Sequence, residues 1–117
     1  MHLIPTPYGD CYLRFEKYSG NGRTALQMID ASDHLPVCRA SVNLPGAPCS
    51  GSYQAYIKDW SENDGIRRVL IEASVIGPEL GRWPTGHCIA TLHTILIENL
   101  EEWNDEVDRA MEAGRAS

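Results

Sequence analysis

The chain has 117 residues, 43% of them hydrophobic and 22% charged, with a formal net charge of −6. That is the size and composition of one globular domain with its own core, and it excludes global disorder. The acidic balance argues against direct contact with nucleic acid or an anionic membrane, because phosphate contacts need Lys and Arg.

Residues 1–10, with Pro5, Pro7 and Gly9, read as an irregular lead-in. Cys11 to Tyr18 sets Cys11, Leu13 and Phe15 against Tyr12, Arg14 and Glu16, the period-two pattern of a half-buried strand. Ser19-Gly20-Asn21-Gly22 predicts a hairpin turn, since Asn-Gly reaches positive φ at little cost. Thr24 to Ile29 returns as a second strand. After a turn at Asp30-Ala31-Ser32-Asp33, Val37 to Leu44 alternates as a third. Residues 45–52 form a loop, and Tyr53 to Lys58 a fourth strand with Tyr53, Ala55 and Ile57 on one face.

Ser61 is placed to cap a helix, with Asp64 three residues on. Ile66, Val69, Leu70 and Ala73 give that helix one apolar stripe, and Gly77-Pro78 should end it. Glu79 to Gly86 reads as a second loop, and His87 to Ile97 as a fifth strand. Asn99 then caps a last helix with Glu102 at its third position, and Leu100, Trp103, Val107 and Met111 form the apolar edge. The expected fold is α+β in a single domain spanning residues 1–117. An antiparallel sheet of about five strands in residues 11–97 carries one capped helix on one face, and residues 98–117 form an acidic C-terminal helix and tail.

Little in the chain points to chemistry. The four histidines, His2, His34, His87 and His93, stand at no metal-ligand spacing from cysteines or carboxylates. No nucleophile elbow or phosphate-cradling loop occurs, so no metal, cofactor or catalytic residue is expected. Nothing at the N-terminus resembles a signal peptide, and no apolar run approaches the roughly 18 residues that cross a bilayer. These features give the expectation of a cytoplasmic protein whose Cys11, Cys38, Cys49 and Cys88 stay reduced.

Two surfaces have the residue types of an interface. Residues 98–117 hold seven acids and only two bases, so nearly all the net charge lies there. Glu101, Glu102, Asp105 and Glu106, with Trp103, would meet a basic partner, or they form a solvated face. The apolar edge is also a short seam for a possible homodimer. The second surface is Tyr56 to Gly65. Tyr56, Lys58, Trp60 and Asn63 beside Arg82 and Trp83 are types that anchor interfaces, or they are a strand, a turn and a capped helix. A small enzyme or nucleotide-binding site near Lys58, Asp59 and Arg82 is the alternative.

Four runs occur in order: Asn21-Gly22-Arg23-Thr24-Ala25-Leu26-Gln27, Val42-Asn43-Leu44-Pro45, Ile57-Lys58-Asp59-Trp60-Ser61-Glu62-Asn63-Asp64-Gly65 and Pro84-Thr85-Gly86. Together, over roughly residues 12–95, the chain resembles the domain-of-unknown-function family numbered 4313. That family comprises small proteins of phages, plasmids and conjugative elements. The resemblance implies a mobile-element context in a bacterial host. The expected function is then stoichiometric, non-enzymatic inhibition of a host defence protein or nucleoprotein complex, in the manner of anti-CRISPR proteins. A self-associating structural or housekeeping phage protein is the further alternative.

Overall fold

The computed structural model describes residues 3–116, so His2 lies outside the described residues. Its architecture is α+β, built on two four-stranded antiparallel sheets rather than one sheet of about five strands. The first contains β1 (Leu3–Thr6), β2 (Gly9–Lys17), β3 (Thr24–Asp30) and β4 (Pro36–Arg39), in that order. The second contains β5 (Ser41–Val42), β6 (Gln54–Ile57), β7 (Ile76–Thr85) and β8 (Cys88–Ile95), in the order β5-β6-β8-β7. Helix α1 (Ile66–Glu72) precedes β7, and α2 (Leu100–Ala116) ends the chain.

Proline accounts for most of the difference from the sequence reading. Part of the expected lead-in is β1, which contains Pro5, and most of the expected loop from Glu79 to Gly86 is β7, which contains Pro78 and Pro84. Both are edge strands, and so is β4, which opens on Pro36. An edge strand tolerates proline because the missing N–H can face solvent, where it also discourages pairing with another chain. The register of β7 also slips on either side of Glu79, which further breaks the edge.

The expected third strand breaks at Ala40. Its N–H donates to the Leu26 carbonyl in the first sheet, and its carbonyl accepts from Lys58 N–H, directly after β6 of the second. One residue thus hands the chain from sheet to sheet. The hairpin turn at residues 19–22 forms as expected, with Tyr18 N–H bonded to Arg23 O and Gly22 at φ 70.

Ser61 does not cap α1. It has φ 55 and starts a 3-10 turn over Ser61–Asn63, and no side-chain cap bond forms there. The helix begins only after Gly65, and the Asp59 carboxylate instead accepts from Arg67 N–H at 3.1 Å. The helix ends before Gly77-Pro78, at Ala73, where Ser74 turns to φ 59 and Val75 N–H closes back on Leu70 O. Leu13, Leu26 and Met28 from the first sheet, Ile57 and Ile76 from the second, and Leu70 from α1 share one buried core.

Candidate partner-binding surface

Helix α2 docks where the first sheet is incomplete. Among the described residues β1 reaches only as far as Tyr12, so none of them pairs as a strand with residues 13–17 of β2 on that side. The two-residue turn at Pro7-Tyr8 pairs Thr6 with Gly9. Every second residue after Gly9 therefore directs its backbone groups to the β1 side. Leu13 and Phe15 are two of these, and their N–H and C=O groups would be unpaired if nothing covered them.

Side chains of α2 take these positions. Trp103 Nε1–H donates to Leu13 O at 2.7 Å. The Asn104 side chain accepts from Phe15 N–H at 2.8 Å and donates to Phe15 O at 2.6 Å, so one amide reproduces a strand's paired bonds. Arg14 grips Asp108 with two bonds, at 3.0 and 3.1 Å. The Arg14 bond is the main reason that the Asp108 carboxyl sits below its ordinary pKa. Below these contacts Val107 is fully buried, Leu100 and Trp103 pack on the main core, and the Trp103 ring meets Phe15 edge-on at 6.1 Å.

The helix start follows the sequence reading. The Asn99 side chain accepts from Glu102 N–H at 3.0 Å, and Glu101 and Glu102 occupy the first turn, where the helix dipole favours acids. With the apolar edge turned inward, Glu101, Glu102 and Asp105 are exposed and Glu106 is half-buried. The seam of Leu100, Trp103 and Val107 is therefore spent on the protein's own body. A shallow cleft of about 270 Å3 adjoins the first turn, lined by Lys17, Tyr53, Asn99 and Glu101 among others.

The second candidate surface is divided between the interior and the exterior. Tyr56 is buried and donates its hydroxyl to Pro48 O. Asn63, expected on the surface, is 1% exposed and donates to Arg39 O. Trp60 packs half-buried on a small cluster with Tyr56 and Ala90, and Lys58 pairs with Glu62 at 2.7 Å. Arg82 and Trp83 are exposed, in the strand β7 rather than a loop.

Lys58, Asp59 and Arg82 are each engaged by a different partner. Lys58 engages Glu62, Asp59 caps α1, and Arg82 bonds Glu79 at 2.6 Å. Glu79 also takes Arg67 at 3.3 Å, which brings this network against His93. The imidazole of His93 is fully buried, with Nδ1 2.8 Å from Gly77 O and Nε2 2.8 Å from Thr91 Oγ1. A carbonyl can only accept, so Nδ1 carries the proton and Nε2 accepts from Thr91. Burial, with the Arg67 charge nearby, pushes the pKa of His93 down. Among the described residues no cluster of three His, Cys, Asp or Glu could hold a metal ion, and no helix is long and apolar enough to cross a membrane.

The sequence reading assigned no such role to Arg14, Asn104 or His93, and it placed Asp59 in an alternative binding site rather than at the start of α1. Only Asn104 left a trace, as a poor helix former in the middle of a strong helix pattern. Comparison with protein-family models, curated proteins and solved structures finds no match. The resemblance to family 4313 thus rests on its four runs alone, of which Asn21–Gln27 crosses from a hairpin turn into β3 and Pro84–Gly86 from the end of β7 into the turn before β8.

Proposed function

We propose that this protein works as a non-enzymatic binder that presents the outer face of α2 to a basic surface of a macromolecular partner. The observation that carries the reading is the docking of α2. A helix fixed by Trp103, Asn104, Val107 and Asp108 displays Glu101, Glu102 and Asp105 together on one rigid side. An acidic tail that served solubility alone would need no such anchors. Preorganised like charges steer a basic partner and raise its association rate.

The resemblance supports a mobile-element protein acting in the bacterial cytoplasm. The partner in this reading is a host defence protein or nucleoprotein complex, inhibited by stoichiometric occlusion. The exposed pair Arg82 and Trp83 lies on a different element and would at most extend the interface.

Affinity capture from a bacterial host extract, followed by mass spectrometry, tests the reading. The protein should capture a basic host protein or complex. Glu101→Gln, Glu102→Gln, Asp105→Asn and Glu106→Gln together should weaken binding to that purified partner at least tenfold with the fold intact. Equal binding by this variant would move the working surface away from α2.

A further inference from the structure

We propose that the β2 edge beneath α2 is a strand-pairing site for a second copy of this chain, with α2 as its displaceable cover. The inference is independent of the acidic-face reading. It begins with the backbone groups of Leu13 and Phe15, which α2 meets through only two side chains. Asn104 supplies two bonds and Trp103 one, where a strand would supply a continuous ladder. A cover made of side chains leaves the edge itself intact and able to pair.

The sequence of that edge complements itself. A twofold antiparallel pair centred on Phe15 sets each Phe15 N–H against the other copy's Phe15 O, the same two groups that Asn104 now satisfies. In that register Arg14 lies opposite Glu16 of the second copy, and Glu16 opposite its Arg14. Arg14, Glu16 and their counterparts all lie on one face of the joined sheet, so two cross-strand ion pairs form. Both residues are partly exposed already, with side chains at 34% and 38%. Lifting α2 frees Arg14 from Asp108 for this exchange. Of the other edges among the described residues, β1, β4 and β7 contain proline and β5 is only two residues long, whereas β2 contains no proline. The one long edge without proline is the one that α2 covers.

The test uses the full chain. Asn104→Ala removes both bonds to Phe15 but keeps Trp103, Val107 and Asp108. Sedimentation over a concentration series should show the parent at 13.0 kDa and the variant shifting to twice that mass. Asn104→Asp keeps the acceptor for Phe15 N–H and loses the donor to Phe15 O. It should dimerise more weakly and serves if the alanine variant does not fold. Arg14→Glu added to Asn104→Ala should abolish the dimer even though it loosens α2 further, and Arg14→Glu with Glu16→Arg should restore it. A folded Asn104→Ala or Asn104→Asp variant that stays monomeric throughout overturns the proposal. So does a dimer that survives Arg14→Glu, which would instead be an exchange of α2 between copies.

Discussion

The two helices are held by opposite means. Helix α2 spans 17 residues, carries its cap at Asn99 directly before its start, and packs on the body along one apolar edge. Helix α1 spans seven residues and starts at a left-handed Gly65. One of its first free N–H groups, that of Arg67, donates to the carboxylate of Asp59, well before the helix, and Ile66 and Leu70 sink into the core between the sheets. Local signals specify α2, whereas tertiary packing specifies α1. The comparison shows why one could be read in advance and the other only half-read. A seven-residue helix is marginal in isolation and exists because its apolar face is buried.

The largest expected contrast is in acid. Beside α1 lies His93, buried neutral, with its pKa held down by burial and facing Arg67 and Glu79. The unfolded chain takes up a proton near the ordinary histidine value of about 6.5, while the folded chain resists it. The contribution of the neutral ring is complete above that value and is lost as pH falls towards the lower folded one. Denaturant melts should lose up to about 1.4 kcal/mol per pH unit as pH falls below about 6.5. His93→Gln should flatten that slope. Beside α2, Asp108 is held below the ordinary carboxylate range, so its contribution persists through this window and is lost only at lower pH. An equal slope in the glutamine variant would show that the ring is not the source.

A smaller contrast separates the caps. Asn99→Ala and Asp59→Ala should each cost about 1 kcal/mol, since each removes a side-chain acceptor from a helix start. Ser61→Ala should leave the melting temperature unchanged, because the Ser61 side chain caps nothing. A loss at Ser61 equal to that at Asp59 would return the cap to the position that the Ser61-x-x-Asp64 pattern suggests.

The same division governs how much of the molecule was legible. The alternation in β2, the returning strand β3, the Asn21-Gly22 turn, the strand β8 and the Asn99 cap are contained in short stretches of sequence, and each formed where expected. Strands β1 and β7 were hidden by Pro5, Pro78 and Pro84. Proline marks a loop on local grounds and an edge only when the neighbouring strand is known. The break at Ala40 was hidden for a related reason, because a switch between sheets leaves the alternation of Val37 to Leu44 intact. For the candidate surface, the acid content and apolar edge of α2 were visible. Their anchoring through Asn104 and Asp108 was not, since the partners Phe15 and Arg14 lie about 90 residues away in β2.

The central claim is that α2 stands in for a missing strand and so holds its acidic face in one place. Amide hydrogen exchange at Phe15 tests this most directly. The Phe15 N–H should be protected in the parent, because its acceptor is Asn104 Oδ1. In Asn104→Ala, at a concentration where that variant is monomeric, Phe15 should exchange much faster. The even-numbered neighbours Arg14 and Glu16, which face β3, should keep their protection. Equal protection of Phe15 in both proteins would contradict the account, because something other than α2 would then be covering the β2 edge.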